Sequence, residues 1–409
     1  MNVVVDQAFL RETNLSTVLH TLHNNSPLSR AQLANLIGLN KSTISSLVKE
    51  LLARGLIHSI GLNPSSAGRP GILLEINPQA GAIIGVELGV DFISVVVTDF
   101  WGQIIWRRFT SADPMSPQES IISQALTLSA EACACCHEKG MRLLGLGLSI
   151  PGTVDVLQGI LIYAPNLNWR NVPLGEIFSK ATSLKVIVEN DANAAAVGEH
   201  LFGAARQSKD FIFVFAGVGI GGGLFLNDQL YRGKEGQAGE IGHAPIMAEP
   251  LQYLCHCGNR GCWETYANQS ALIARMQTHL DGNKTSPARR LMEEQNAPLS
   301  VALIKEAADL GDRDARKSFA DIGEAMGLGI ANLVNIFNPE KVILGGPLSV
   351  GGKYLLPAID ENVAKHSMPG IYSQVQILLS AFCADASVIG ASALVIDNLM
   401  DRPTQVERW

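Results

Sequence analysis

Residues 239–264 concentrate the residue types that bind a metal ion. This stretch contains one histidine, three cysteines and a glutamate near each end, namely His243, Cys255, Cys257, Cys262, Glu240 and Glu264. Three thiolates and one imidazole are the ligand set of a closed, tetrahedral structural zinc site. The alternative is a group of buried, inert thiols, because a free cysteine behaves as a small hydrophobic residue. Four soft ligands at this spacing favour zinc, which would hold Glu240, His243 and Glu264 around a common ligand.

A second polar cluster follows a short apolar strand. Residues 189–193 (ENDAN) come directly before an alanine-rich helical stretch, and Asn166 and Trp169 lie in a segment upstream. Carboxylates, amides and an aromatic ring suit a hydroxyl-rich ligand, so these side chains are predicted to face a cleft. Two alternatives stay open: Asp191 or Asn193 could merely cap the helix, and Trp169 could pack between two lobes.

The first eighty residues have the pattern of a DNA-binding unit. Apolar spacing predicts three helices, of which the second opens with a capping box at Ser29 and Gln32 and the third follows the break at Gly38. Two short helices around a glycine turn, followed by a β-hairpin, form the outline of a winged helix-turn-helix. Candidate contacts to phosphates and base edges lie on the third helix and the hairpin tip: Lys41, Ser42, Thr43, Ser45, Ser46, Lys49 and Arg69. A three-helix protein-interaction module is the alternative.

Composition narrows the class of protein. The 409 residues exceed one ordinary core, so two or three domains are expected. The net charge is −7, yet residues 1–80 carry six bases and four acids, which suggests that only this basic unit meets nucleic acid. Seven cysteines, an odd and clustered set, favour a reducing, cytoplasmic compartment. No apolar run approaches the length of a membrane span, and no signal peptide is recognisable.

From residue 82 onward, strands alternate with glycine turns and helices. Strands are predicted at 83–88, 93–98, 103–107, 143–150, 186–188, 211–216 and 342–344, with a helix at 118–139. Strand-to-glycine junctions, such as the one at 217–223 (GVGIGGG), indicate an α/β protein that binds its ligand at strand carboxyl ends. Within the predicted helix, Cys133, Cys136 and His137 share one face, for which partial burial is favoured over a second metal site.

These motifs together resemble the ROK family (repressors, open reading frames and kinases), and within it the sugar-responsive repressors of the xylose-operon type. The likeness runs from the winged helix through ENDANAA, GVGIGGG, EIGH and CHCGNRGCWE to a late ILGG. It implies an α/β body of two actin-like (ribonuclease H-like) lobes, with a hexose or pentose between them and a structural zinc. The implied domains are 1–80 (winged helix-turn-helix), 81–200 with a C-terminal helix at 385–400 (first lobe), and 201–384 (second lobe). The motif match implies sugar contacts from Asn166, Asn190, Asp191, Glu240, His243 and Glu264, and zinc ligands from His243, Cys255, Cys257 and Cys262.

The phosphate-donor half departs from the kinases that this family contains. Their first phosphate loop reads Asp-x-Gly-Gly-Thr, whereas the matching positions here begin at Glu87 and end with Val90 and Asp91. The carboxylate of Asp91 would repel a polyphosphate. Val218 stands where the kinases usually place Thr, and Pro347 follows the late glycine pair. We therefore expect that ATP binding is lost and that the protein is not an enzyme.

The expected function is that of a sugar-responsive, DNA-binding transcriptional repressor of carbohydrate metabolism. It would act as a homodimer or homotetramer on operator DNA, with sugar shifting the closure of the lobes and so the spacing of the DNA-binding units. One alternative is a sugar kinase with an appended DNA-binding domain, because Asp191 matches the general base of the family's kinases. Another is a switch that a partner protein, rather than a sugar, removes from DNA.

Overall fold

A computed structural model describes the protein over residues 6–62, 71–246, 253–283 and 285–407. Within these ranges, an N-terminal helical unit with a small sheet precedes two five-stranded sheets that are each flanked by helices. The predicted fold class, a winged helix-turn-helix followed by a two-lobed α/β body, is confirmed.

The N-terminal unit is shaped by locally encoded helix caps. Its elements are α1 (Gln7–Asn25), β1 (Leu28–Ser29), α2 (Arg30–Ile37), α3 (Lys41–Ala53), β2 (Ile57–Leu62) and β3 (Ile72–Ile76). The predicted capping box is present, because the Ser29 hydroxyl accepts from the Gln32 amide and the Gln32 side chain accepts from the Ser29 amide. Gly38 ends α2 in the left-handed conformation, and Asn40 caps α3. The three strands form one sheet in the order β1-β3-β2.

The first lobe contains a five-stranded sheet and a smaller three-stranded sheet. Its elements are β4 (Ala82–Leu88), β5 (Phe92–Thr98), β6 (Ile104–Ser111), α4 (Gln118–Glu138), β7 (Leu143–Ile150), β8 (Thr153–Asp155), β9 (Ile160–Ala164), β10 (Trp169–Val172), α5 (Leu174–Thr182), β11 (Val186–Asn190) and α6 (Asp191–Phe202). The larger sheet has the order β11-β7-β4-β5-β6. Strand β6 extends past the predicted end at residue 107, because β5 pairs with it up to the partners Phe92 and Ser111.

The second lobe repeats this strand order. Its elements are β12 (Phe211–Ala216), β13 (Ile220–Leu226), β14 (Gln229–Leu230), α7 (Glu264–Ala267), α8 (Gln269–Gly282), α9 (Pro287–Gln295), α10 (Val301–Asp309), α11 (Arg313–Phe337), β15 (Lys341–Gly345), α12 (Gly352–His366) and β16 (Gln376–Leu379), and α13 (Ala386–Asp401) follows. The sheet order is β14-β13-β12-β15-β16, with a leading antiparallel meander and two strands parallel to β12. Two sheets of the same order form the duplicated arrangement that the ribonuclease H-like prediction required.

Helices α6 and α13 pack against each other where the two lobes meet. Gly198 and Gly390 face each other at this contact, and a side chain on Gly390 would collide with the Ala194 carbonyl. Helix α13 also lies against β4 and β7 of the first lobe. The segment Cys383–Asp401 is long and apolar enough to cross a membrane by length and composition, which the sequence pattern had not indicated, but 72% of it is buried. This segment is therefore a core helix of the protein.

The N-terminal unit shares an apolar core with the first lobe. Leu15 and Leu22 of α1 belong to the same buried cluster as Ile396 and Met400 of α13. Burial of apolar side chains from both units in one cluster stabilises their contact, at roughly 25 cal/mol per Å² of apolar surface removed from water.

Polar contacts reinforce this junction. The imidazole Nε2 of His23 lies 2.9 Å from the carbonyl oxygen of Leu201 near the end of α6, and Arg206 donates to the His23 carbonyl at 3.1 Å. Arg54, the residue that follows α3, donates to the carbonyl of Thr404, which lies beyond α13, at 3.1 Å. The N-terminal unit is thus anchored to the body by buried side chains rather than tethered by a linker.

Candidate functional site

A cavity of about 360 Å³ lies between the two lobes, at the carboxyl ends of β4, β7, β11 and β12. Its size is that of an ordinary small-molecule site. It is lined by all six residues predicted to contact a sugar: Asn166, Asn190, Asp191, Glu240, His243 and Glu264. They come from the loop before β10, the junction of β11 with α6, the 3₁₀ turn Ile241–His243 with the residue before it, and the start of α7. The structure brings them together, and their contact with a sugar stays a prediction.

The junction of β11 with α6 presents two of these side chains. Asn190, and not Asp191 or Asn193, is the helix cap, because its Oδ1 accepts from the Ala192 amide at 3.0 Å and from the Asn193 amide at 3.2 Å. Burial raises the pKa of Asp191 to about 6; the Ala192 amide opposes this rise, and the charge of Glu240 adds to it. A carboxyl group that titrates near neutral pH can accept or donate a hydrogen bond to a ligand hydroxyl.

The predicted metal ligands converge beside the cavity. One ligand atom from each of His243, Cys255, Cys257 and Cys262 lies within 4.8 Å of all the others. The two sulfurs of Cys257 and Cys262 are 3.7 Å apart, and the Cys255 sulfur is 3.5 Å from His243 Nδ1. A tetrahedral zinc with bonds of about 2.3 Å to sulfur and about 2.0 Å to nitrogen sets these separations at about 3.8 Å and about 3.5 Å. The cluster therefore has the donors and the spacing to hold a metal ion.

His243 stands between the metal ligands and the cavity. Its Nδ1 faces the Cys255 thiol, while its Nε2 lies 3.7 Å from a carboxylate oxygen of Glu240. Glu264 Oε1 lies 2.8 Å from the Cys255 sulfur, and its Oε2 accepts from the Ile220 amide at 3.4 Å. Burial raises the pKa of Glu240. His243 lowers this pKa, and the charge of Glu264 raises it further. A metal on Nδ1 would leave Nε2 to donate towards Glu240 or a ligand hydroxyl.

Burial decides between alternatives that the sequence left open. Trp169 is 4% exposed and packs in the first-lobe core, and it is not among the residues that line the cavity. It is therefore a packing residue. On α4, Cys136 is buried, and burial raises the pKa of its thiol to about 11, whereas His137 is exposed. Among the described residues, the cluster around His243 is the one group of three or more ligands close enough to share a metal ion.

An ion pair that sequence reasoning missed holds the two halves of the site together. Glu189 is 1% exposed and accepts from the Asn190 amide at 3.0 Å, the Asn193 side chain at 3.2 Å and Arg232 Nε at 2.8 Å. Because Arg232 follows β14, this pair links the strand that carries Asn190 to the second-lobe segment that leads to Glu240. The partners are 43 positions apart, a separation that leaves no pattern in the sequence.

Trp263 fixes the metal-binding loop to the second lobe. It lies between Cys262 and Glu264, is 1% exposed, and donates from Nε1 to the Ala325 carbonyl of α11 at 2.9 Å. Its indole packs directly over Gly329, where a side chain would overlap the ring. Packing of one buried aromatic residue thus positions a metal ligand and a cavity carboxylate at once.

The donor half of the cavity is lined by the residues that depart from the kinase pattern: Glu87, Val90, Asp91, Val218 and Pro347. Burial raises the pKa of Glu87 well above its ordinary value, and the charges of Asp191 and Asp385 add to the rise. Its Oε2 atom is buried without a hydrogen-bond partner in the described structure. One oxygen of the Glu87 carboxyl group therefore faces this part of the cavity without a hydrogen-bond partner among the described residues.

Six of the residues predicted to contact DNA lie on α3. Five of them are exposed on α3, and Thr43 is half-buried; the exposed residues are Lys41, Ser42, Ser45, Ser46 and Lys49. The Ser42 hydroxyl donates to the Asn40 side chain at 2.7 Å, so part of its bonding capacity serves the helix cap. Arg69 lies outside the described residues. Sequence reasoning missed Arg30, which lines a cavity of about 290 Å³ with Lys41 and Ser45.

Comparison with known proteins finds matches to both parts of the chain. The sequence model described as the ROK family matches residues 83–398, and the one described as the MarR family matches residues 16–61. A xylose repressor of Caldicellulosiruptor bescii is 33% identical over 399 residues, which cover 97% of this chain and 99% of that protein.

Solved structures match the chain either over nearly its whole length or over about three quarters of it. A ROK family transcriptional regulator, described as a homolog of the Escherichia coli MLC protein, aligns with a TM-score of 0.81 and 27% identity over 97% of this chain and 99% of its own. A ROK family glucokinase from Streptomyces griseus, in complex with glucose and AMPPNP, aligns with a TM-score of 0.68 and 32% identity over 77% of this chain and 99% of its own. The nearly full-length matches are thus to proteins described as repressors or regulators.

Proposed function

The chain belongs to the ROK family, and we propose that it is a sugar-responsive, DNA-binding transcriptional repressor of carbohydrate metabolism. The observation that carries this proposal is the packing of a winged helix-turn-helix unit directly onto the lobe that forms one wall of the cleft. The nearly full-length matches to a xylose repressor and a ROK transcriptional regulator support it. A sugar that prefers one closure state of the lobes changes operator affinity through that preference, typically by about 1–3 kcal/mol.

The sugar is held, in this proposal, by the six residues that converge on the interlobe cavity. Their carboxylates and amides can each pair with adjacent hydroxyls of a pyranose, and a glucokinase relative solved in complex with glucose supports a sugar as the ligand. Residues 81–200 with 385–400 then form the first lobe, and residues 201–384 form the second. Closure of the lobes brings Glu240 and His243 towards Asn190 and Asp191.

Residues 1–80 form the operator-binding domain in this proposal. The exposed side chains of α3, together with Arg69 and the newly found Arg30, supply the cations and short polar groups that phosphates and base edges require. A homodimer or homotetramer would place two such units on half-sites about one helical turn, roughly 34 Å, apart.

The metal ion is proposed to be zinc, and its role structural. The three thiolates and one imidazole match the ligand preference of zinc, and the separations between ligand atoms match its tetrahedral geometry. Bound zinc would fix a segment with few apolar residues of its own and thereby hold His243 and Glu264 at the cavity wall.

A sugar kinase is the second candidate, because Asp191 lines the cavity where a general base would stand and a glucokinase is among the structural relatives. Val90 and Asp91 oppose it, because they line the donor half, where an ATP-binding site needs close backbone approach and no negative charge. A coupled ATPase assay with hexoses, pentoses and amino sugars decides. Turnover above about 1 s⁻¹, the low end for kinases, would establish kinase activity.

Operator release by sugar is the direct test of the proposed function. An operator selected from random duplexes would be titrated with protein in gel shifts, with and without a panel of free sugars. Asp191→Asn should keep operator affinity and lose the response to sugar, while Lys49→Ala should lower operator affinity and keep sugar binding. Absence of specific DNA binding, or of any response to sugar, would contradict the proposal.

A further inference from the structure

The charge of the interlobe cavity bears on the chemical form of its ligand, since a sugar exists in a cell both free and as a phosphate ester. We propose that the cavity takes an uncharged sugar and excludes its phosphate ester, and that Asp91 enforces the exclusion. This inference rests on the proposed function, because it concerns the effector of the same site.

The cavity offers an anion no lysine or arginine among its described lining residues. Its lining includes the imidazoles of His243 and His256 and five acidic residues: Glu87, Asp91, Asp191, Glu240 and Glu264. Residues 247–252, which the structure does not describe, contain neither lysine nor arginine in the sequence. Arg107 lines the adjoining groove, but its guanidinium is held in a bidentate ion pair with Asp385. Proteins that bind phosphate esters commonly supply an arginine fork or a lysine for the dianion, and this cavity does not.

The backbone donors at the start of α6 are already engaged. A helix N-terminus that points at a cleft ordinarily attracts phosphate through its free amides and its dipole. Here the amides of Ala192 and Asn193 donate to the side chain of Asn190, and the carboxylate of Asp191 also accepts from the Ala192 amide at 2.8 Å. The protein's own acceptors therefore occupy the place that a phosphate would take.

Two amide donors of the glycine loop after β12 are used in the same way. The Gly217 amide donates to the Gly219 carbonyl at 2.9 Å, and the Ile220 amide faces the Glu264 carboxylate at 3.4 Å. A phosphate that bound to both of these amides would have to displace a carboxylate from Ile220 and break an internal bond of the loop at Gly217. Both changes oppose its binding.

Asp91 adds a charge to this half of the cavity. It lies in the turn between β4 and β5, is exposed to solvent, and lines both the cavity and the adjoining groove. An anionic group that the sugar carries into the donor half therefore meets a like charge, while Arg107 in the adjoining groove is already paired with Asp385. Like charges at short range disfavour the charged forms of both groups.

Calorimetric titration of the wild-type protein with matched pairs tests the proposal: glucose with glucose 6-phosphate, xylose with xylose 5-phosphate, and N-acetylglucosamine with its 6-phosphate. Each pair keeps the sugar and changes its charge. We expect the neutral member of whichever pair binds to bind at least about tenfold more tightly than its ester. An ester that binds as tightly as its parent sugar would overturn the exclusion and leave the proposed function standing. No binding and no operator response from any pair would overturn both.

Two matched variants test the role of Asp91. Asp91→Asn removes the charge of this residue at nearly constant size. It should lower the ratio of the ester's dissociation constant to that of the parent sugar by at least about threefold. Asp281→Asn removes the same charge from an exposed residue at the end of α8 that lies away from the cavity-lining Gln269, and should leave the ratio unchanged. Equal ratios in the two variants would overturn the assignment to Asp91.

Discussion

Protonation of His23 is predicted to weaken the attachment of the N-terminal unit to the body. The imidazole is 3% exposed and its ring centre lies 4.9 Å from that of Trp101. Because a carbonyl oxygen only accepts, Nε2 carries the proton that is donated to Leu201, and a second proton would have to enter on Nδ1. Burial lowers the pKa of His23 to about 4, and the charge of Arg206 also opposes a second cation.

The expected magnitude follows from proton linkage. The difference between an ordinary pKa of 6.5 and a folded-state pKa of about 4 corresponds to about 3 kcal/mol of unfolding free energy. As the pH falls, the unfolded chain binds this proton before the folded protein does. The contribution of neutral His23 to the free energy of unfolding is therefore complete above pH 6.5. It decreases as the pH falls from 6.5 to about 4, and it is absent below that range.

Urea unfolding of the wild type and of His23→Gln, at about pH 7.5 and about pH 4.5, measures this contribution. Glutamine retains an N–H donor and does not titrate. The wild type should lose about 2–3 kcal/mol more than the variant between the two pH values. The variant is needed as a reference because Asp191 also titrates in this pH range. Its pKa is raised in the folded protein, so it increases the free energy of unfolding as the pH falls, opposite to His23. Equal losses in both proteins, within about 0.5 kcal/mol, would refute the reasoning.

Three further predictions concern the second lobe, the contact between the lobes and the metal site. Trp263→Ala removes a buried indole and its hydrogen bond to Ala325, and should lower the free energy of unfolding in urea by about 3–5 kcal/mol. Gly390→Ala places a methyl group against the Ala194 carbonyl and should cost about 1–3 kcal/mol, seen as a lower thermal midpoint; an unchanged midpoint would show that α6 and α13 can separate without cost. Cys257→Ser should lower both metal content, from about one zinc per chain, and sugar affinity; normal sugar affinity in metal-free protein would make the zinc incidental.

Features that depend on nearby residues were predictable from the sequence. The capping box joins Ser29 to Gln32, only three positions away, so its signal is contained in a single turn. Strand β7 was predicted with its observed bounds, because a continuous apolar run stops at a proline and a glycine. The three thiols of the metal cluster likewise fall within eight residues, a separation short enough for a single loop to bring them together.

Features that depend on distant residues were not predictable. Glu189 pairs with Arg232 and His23 with Leu201 across 43 and 178 positions, and no spacing rule connects such partners. The choice of helix cap was missed for a different reason. Several polar residues between positions 189 and 193 could serve, and Asn190 is the cap because β11 continues to that residue, which places its side chain beside the first free amides of α6.

Helix α6 connects the cavity to the N-terminal unit. It begins at Asp191, spans 12 residues or about 18 Å, and its Leu201 carbonyl accepts from His23 of α1. A regular helix moves as one body, so a displacement of Asp191 on sugar binding should reach α1 at His23. His23→Ala removes this hydrogen bond and is therefore predicted to reduce the ratio of operator affinities measured without and with sugar, while sugar affinity stays the same. Asn25→Ala, two residues further along α1 and exposed, should change neither quantity. Full coupling in His23→Ala would show that the signal travels by another route, such as the shared apolar core of α1 and α13.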